Sequence, residues 1–256
     1  MVNSFIGHRF FASLTLAVGL TLSVFSVQAD SEKQQLFFHV SKEGGWVPFR
    51  TSAERGRKGV LEELSDLLQQ YSDIEFVPVF FPTKRAEKAL IDGLVDFDFI
   101  CIEWLKNGHY GDNFVISEPF FEVTEAFATL PKNAHLLPTP ESAYNQSVGT
   151  IGGYFYHDDD RFTRIDFLNE NQLVLGLKKD RYKSIIIEKE TAKYWAQVHD
   201  IEIAFPAVHS KGHLLMRLRD ENQHLLPKIN QAIIKMKESG QLKAILDKHG
   251  VESLIL

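Results

Sequence analysis

What is scarce in this chain narrows its function before anything abundant does. One cysteine in 256 residues forbids an intrachain disulfide and any Cys-based zinc or iron–sulfur centre. Basic residues are outnumbered, 28 Lys plus Arg against 34 Asp plus Glu for a net charge of -6, and no long basic run occurs. A nucleic-acid partner therefore lacks its usual electrostatic footprint. No G-x-S-x-G elbow marks a hydrolase nucleophile. Gly149, Gly152 and Gly153 do not follow G-x-G-x-x-G spacing, so no cofactor is expected from them. Internal repeats and low-complexity tracts are missing too. What remains is an ordinary globular composition, 44% hydrophobic and 24% charged, with apolar material for one large or two small cores.

Residues 1–29 read as an address rather than as folded domain. His8 and Arg9 precede an uncharged apolar run from Phe10 to Val24, and Val27-Gln28-Ala29 places small residues at −3 and −1 of a cut before Asp30. These are the three parts of a secretory signal. The run is short beside the roughly 20 residues that a spanning helix needs, and no Cys follows it to carry a lipid. A cleaved signal and a periplasmic mature chain, 30–256, are expected.

The mature chain alternates strand and helix patterns. Leu36 to Val40 reads as a buried strand, followed by a loop from Ser41 to Lys58 that holds Gly44, Gly45, Trp46, Pro48 and Phe49. Val60, Leu61, Leu64, Leu67, Leu68 and Tyr71 form one apolar helical stripe. Ile74 to Phe81 is a second strand, Pro82-Thr83 opens a helix with Thr83 as its N-cap, and Leu94 to Ile102 follows Gly93 as a third strand. Val123 to Leu130 makes a further strand. Ser147 to Ile151 starts a second set, with a helix over 170–178, a strand over Ser184 to Ile187, a helix over Glu190 to Val198 and a final strand over Ile201 to Phe205. Two helices broken at Gly240 close the chain. The order implies α/β architecture with parallel βαβ units, in two lobes.

Several segments together resemble one family. They are Trp46-Val47-Pro48-Phe49, Gly59 before Leu61-Glu62-Glu63-Leu64, Arg85 ahead of Leu90-Ile91-Asp92-Gly93-Leu94-Val95-Asp96, Ser117-Glu118-Pro119-Phe120, Val148-Gly149-Thr150-Ile151 with Gly153, Arg181 before Ile185-Ile186-Ile187-Glu188, and Ile229-Asn230-Gln231-Ala232-Ile233 through Gly240 to Ile245. In this order, behind a signal segment, they resemble the extracellular solute-binding proteins of family 3, the amino-acid-binding receptors of ABC importers. The resemblance implies a type II-like periplasmic binding fold, with two α/β lobes joined by two crossing strands and closing on a ligand like a hinge. Residues 30–125 and 206–256 would form lobe 1 and residues 126–205 lobe 2, with Val123 to Leu130 and Ile201 to Phe205 as crossovers.

The resemblance also implies site residues. Trp46 and Phe49 match the position of an aromatic that faces the ligand, where a ring can hold an apolar chain or a cation. Glu188 leaves a buried strand at the point where a carboxylate takes the ligand ammonium. Arg85, in the first turn of its helix, could clamp a carboxylate; the alternative is an ion pair with Glu87. The family's Thr-x-x-Arg segment is absent, and its place is taken by Glu103-Trp104-Leu105-Lys106-Asn107-Gly108-His109-Tyr110. Glu103 and Tyr154 stand where small polar groups are usual. Glu103 and Glu188 with Trp46 would favour a cationic ligand group. His157-Asp158-Asp159-Asp160 invites a metal reading, but consecutive side chains diverge and lack i, i+4 spacing. A solvated loop is expected there, and no metal. Cys101 belongs to an apolar strand and reads as core.

The leading expectation is a monomeric periplasmic receptor that captures an amino acid or related amine for an ABC permease, without chemistry of its own. The alternatives are a dehydratase on the same fold, similar to the periplasmic enzymes acting on cyclohexadienyl acids, and a sensor for a membrane receptor.

Overall fold

The computed structural model describes residues 33–40, 45–50 and 58–255. The expected signal segment, 1–29, and most of the 41–58 loop lie outside them. None of the described helices is long and apolar enough to cross a membrane.

The first half is built on parallel pairing. Strand β1 (Gln35–Val40) lies between β2 (Glu75–Phe80) and β3 (Phe97–Cys101), parallel to both. Helix α1 (Val60–Ser72) crosses between β1 and β2, as a parallel connection requires. Its stripe works as the spacing predicts: Val60, Leu61, Leu64 and Leu68 are buried against Leu36, Phe38 and Phe97, each worth roughly 1.5–3 kcal/mol. Asp73 ends the helix in the left-handed conformation, φ 56°. The next connection departs from expectation. Thr83–Arg85 is a single 3₁₀ turn before α2 (Ala86–Ile91), so Thr83 lies inside the turn rather than capping a helix. Residues 94–96 form a bend, which shortens the expected third strand.

Beyond Cys101 the chain forms β4 (Phe114–Ile116) and β5 (Phe121–Thr129). The second half then winds β6 (Ser147–Ile151), β7 (Thr163–Phe167), α3 (Glu170–Lys178), β8 (Ser184–Glu188) and α4 (Lys189–His199). Strand β6 is parallel to both β7 and β8. The expected strand at Ile201 to Phe205 is displaced. The chain instead enters β9 (Ala204–Arg219), 16 residues long, and closes with α5 (Leu226–Glu238) and α6 (Gln241–Lys248).

Strand β9 ties the molecule together. Its Leu214–Leu218 stretch pairs antiparallel with β3, and its earlier part, from Ala204 to Leu214, pairs antiparallel with β5. The result is one curled sheet in the order β2-β1-β3-β9-β5-β8-β6-β7, with β4 also on β9. Separate cores fill its two ends. Leu36, Phe97, Phe121, Met216 and Ile233 belong to one; Leu173, Val174, Ile185 and Trp195 belong to another. Two lobes joined through β5 and β9 follow from this arrangement.

Candidate functional site

A cavity of about 120 Å³ lies between the two ends of the sheet. Its floor is made by strands: Phe99 and Ile100 of β3, Glu125 from the middle of β5, and Ile186, Ile187 and Glu188 at the end of β8. Ligands in open α/β sheets sit at this place, outside the carboxyl ends of parallel strands. The walls come from loops: Trp46 and Arg50 after β1, Thr83 after β2, Trp104 after β3, Tyr154, Phe155 and Tyr156 after β6, and Asn169 with Glu170 after β7.

The two ends touch around it. A Cβ at Gly153, where φ is +95°, would lie 2.8 Å from the Cα of Lys84 and 2.9 Å from the carbonyl oxygen of Thr83. Only glycine tolerates both that backbone angle and that approach. Across the other rim, the buried Trp195 Nε1–H donates to the carbonyl of Gly45 at 2.6 Å, and Lys106 pairs with Asp160 at 2.9 Å. Val47, from the first half, packs in the core of the second. This is a closed cleft.

Three of the expected residues line it. Trp46 is buried, with its ring edge-on to Trp104 at 6.1 Å. Tyr154 donates its hydroxyl to Glu170 Oε1 at 2.7 Å, and burial holds that phenol protonated. Glu188 is buried and ends β8 as expected, but it also begins α4. Its two oxygens accept from the backbone N–H groups of Glu190 and Thr191 at 2.9 and 2.8 Å. Burial pushes its pKa up to about 7, against these two hydrogen bonds.

The other three stand away from the cavity lining. Phe49 is fully buried behind Trp46, 5.0 Å between rings, and stacks on Phe121. It supports the aromatic wall without touching the cavity. Arg85 is exposed at the end of its 3₁₀ turn, and Glu87 pairs with Arg217 instead, at 2.6 Å. Glu103 is exposed and lies over Gly212, whose absent side chain makes room for it.

Most of the cavity's charge comes from residues that carry no motif. Glu87, Asp98, Glu125, Glu170 and Glu188 line it, against Arg50 alone among the described lining Arg and Lys side chains. Two cations stand just behind. Arg217, 2% exposed, holds Asp98 through Nε at 3.0 Å and Nη2 at 2.7 Å. His209 lies between Asp158 and Glu125, at 2.8 and 3.5 Å. Although burial opposes it, these carboxylates raise the His209 pKa to about 9. Glu125 and Glu188 are directly opposite in the antiparallel β5–β8 register and both buried; like charges so placed repel, and His209 stands 3.5 Å from Glu125. Arg50 donates to the His39 carbonyl at 2.6 Å, and its guanidinium lies 5.7 Å from the Trp46 ring. Burial and Arg50 together lower the His39 pKa to about 4, so its imidazole is neutral. Sequence reasoning missed Arg50, Asp98, Glu125 and Glu170. The signal on offer was a carboxylate inside an expected apolar strand, at Asp98 and at Glu125.

No family model matches the sequence. No curated protein matches it at the sequence level either. Solved structures do match in fold. The mutant arginine-binding protein ArgBP from T. maritima superposes with a TM-score of 0.68 at 18% identity, covering 85% of this chain and 96% of that one. The GluR0 ligand binding core in complex with L-glutamate gives 0.71 at 13% identity, over 86% and 99%. The ancestral amino acid-binding protein AncCDT-1, a precursor of cyclohexadienyl dehydratase, gives 0.67 at 16%, over 84% and 95%. The chain has the two-lobed fold of the amino-acid-binding periplasmic proteins.

Proposed function

We propose that this protein is a periplasmic receptor that captures a small amine-bearing solute, an amino acid or related amine, and hands it to an ABC-type permease. The observation that carries the reading is the pair Glu125 and Glu188, opposed on neighbouring strands and facing a closed, aromatic-walled cavity. A ligand ammonium or guanidinium between them would relieve their repulsion in a dry site, where a charge-assisted hydrogen bond is strong. Trp46, Trp104 and Tyr154 would cover its stem or stack on its cation. Arg50, which has no carboxylate partner among the described residues, would take a carboxylate at the other end, giving a zwitterion preference over a bare amine. T. maritima ArgBP and S. pneumoniae AbpA, the latter bound to L-arginine, make L-arginine the first probe.

The test is isothermal titration of protein recovered from the periplasmic fraction, after partial unfolding and dialysis to strip any carried ligand. L-Arginine, L-lysine, putrescine, L-glutamate and L-glutamine serve as probes. Binding of cationic amino acids over putrescine and L-glutamate, with the ligand recovered unchanged, is the expected result. Preference for an anion overturns the charge reading. The dehydratase alternative draws on one feature, a cleft carboxyl titrating near neutrality at Glu188. A ligand returned chemically altered would favour it.

A further inference from the structure

We infer that His157, Asp158 and His209 form a binding site for a late first-row divalent cation of the Zn²⁺ class, which pins a cavity-lining loop to the long crossing strand. This site stands apart from the solute reading and survives its failure.

The run His157-Asp158-Asp159-Asp160 divides in the folded chain. Asp159 pairs with Arg164 at 3.1 Å and Asp160 with Lys106 at 2.9 Å. His157 and Asp158 instead meet a residue some fifty positions away. Ligand atoms of His157, Asp158 and His209 all lie within 4.8 Å of one another. Sequence spacing could not show this, because the third group arrives on β9.

The backbone aims that third group. In the β5–β9 ladder Glu125 faces Ser210 and Ala126 faces Val208, so His209 is the extra residue of a β-bulge. Bulges re-aim side chains beside functional sites. Here the imidazole is fully buried, 2.8 Å from Asp158 through Nε2 and stacked 4.6 Å from the His157 ring. Its far nitrogen, Nδ1, stands 3.5 Å from Glu125 Oε2 and makes no hydrogen bond of acceptable geometry. Glu125 in turn accepts from Ser210 Oγ at 2.9 Å. A carboxylate behind the far nitrogen of a histidine is the usual orienting partner of a metal-binding imidazole.

A second observation points the same way. Nδ1 of His157 is buried and has no hydrogen-bond partner. Leaving a buried polar nitrogen unpaired costs about 1–3 kcal/mol, and an ion between the two rings and Asp158 would satisfy it. At metal–ligand distances of about 2.0–2.1 Å, tetrahedral ligand atoms sit roughly 3.3 Å apart. The Asp158–His209 pair needs to open by about half an ångström for this, and the ion would displace the proton that Nε2 shares with Asp158. Two imidazoles and one carboxylate suit Zn²⁺ and its neighbours rather than Mg²⁺ or Ca²⁺. Tyr154, Phe155 and Tyr156 of the same loop line the cavity, so the ion would fix one wall of the solute site.

The experiment uses the full chain expressed without a polyhistidine tag, purified and treated with a chelator. Zn²⁺ binding is followed by competition with a chromogenic chelator, and Co²⁺ binding by its visible d–d absorption. One equivalent of Zn²⁺ and a Co²⁺ spectrum of tetrahedral intensity are expected. His157→Ala and Asp158→Asn should each weaken binding at least about tenfold, the loss that even an outer-shell change produces, while His224→Ala, at an exposed site, leaves it unchanged. His209→Gln should abolish binding, but its burial puts folding at stake, so the two loop variants decide. No Zn²⁺ binding at micromolar concentration, or binding that both loop variants retain at wild-type strength, overturns the inference.

Discussion

Glu188 is subject to two opposed physical effects, and its replacement by Gln measures which prevails. Its carboxylate caps α4 through two backbone N–H groups, which favours the charged form. Burial at 7% exposure favours the neutral form, and burial wins, holding the pKa at about 7 against an ordinary 4.5. The folded chain therefore binds a proton that the unfolded chain has released between about pH 4.5 and 7. Stability from this group is full below pH 4.5 and declines as pH rises through 7. A displacement of about 2.5 units at 1.36 kcal/mol each amounts to about 3 kcal/mol. Glu188→Gln is neutral throughout and loses one capping acceptor, a cost of about 1 kcal/mol that does not vary with pH. Urea unfolding of both proteins from pH 4 to 8 at fixed ionic strength isolates the difference. The variant should gain about 3 kcal/mol relative to the wild type across that range. A constant difference would refute the balance struck here. A difference of opposite slope would mean that the helix cap, not burial, sets the ionisation of Glu188.

Three further outcomes follow from the same geometry. His39, neutral with a pKa lowered to about 4 by burial and Arg50, is charged in the unfolded chain below about pH 6.5. The wild type should thus lose stability relative to His39→Asn as pH falls from about 6.5 to 4, and parallel urea midpoints would refute this. Arg217→Leu leaves the half-buried Asp98 and Glu87 without their cation and should destabilise the fold by about 1–3 kcal/mol in urea unfolding; an unchanged midpoint would show that solvent replaces the arginine. Gly153→Ala places a Cβ 2.8 Å from the Cα of Lys84 and forces a side chain onto φ +95°, so urea unfolding should show a loss of about 1–3 kcal/mol, and an unchanged midpoint would show that the loop relaxes around the added methyl.

The sequence disclosed the fold where one chemical signal was undiluted. Val60 to Ser72 folds as its apolar stripe predicts, and Ser147–Ile151 and Glu170–Lys178 match the expected bounds to the residue. Strand β9 was hidden because it breaks the rules of a central strand. It contains Pro206 and Gly212, and lysine and histidine interrupt its apolar positions. Two register shifts opposite β5 accommodate this: one leaves Pro206 outside regular pairing, the other turns His209 out of the ladder. Gly212 has its own structural cause, since a side chain there would collide with Glu103.

The site was legible only in part, and for a related reason. Trp46, Tyr154 and Glu188 reach the cavity because local chain geometry, a loop after a strand or a strand end before a helix, determines where they point. Glu103 and Arg85 follow the same local logic and miss it, since one 3₁₀ turn after β3 and one after β2 rotate them outward. The cavity's electrostatics are non-local. Glu125 acquires significance only because β8 sets Glu188 opposite it, and Asp98 is neutralised by an arginine 119 positions away. Of the five lining carboxylates, Asp98 and Glu87 are thereby committed to Arg217, Glu170 accepts from Tyr154, and Glu125 lies 3.5 Å from His209; on the proposed reading an added positive charge acts on the opposed Glu125–Glu188 pair. Under that reading, charge selectivity in this cleft would be a property of strand register. A change that shifts β8 by one residue would move Glu188 to the other face of the sheet and remove that selectivity without altering a single lining residue type.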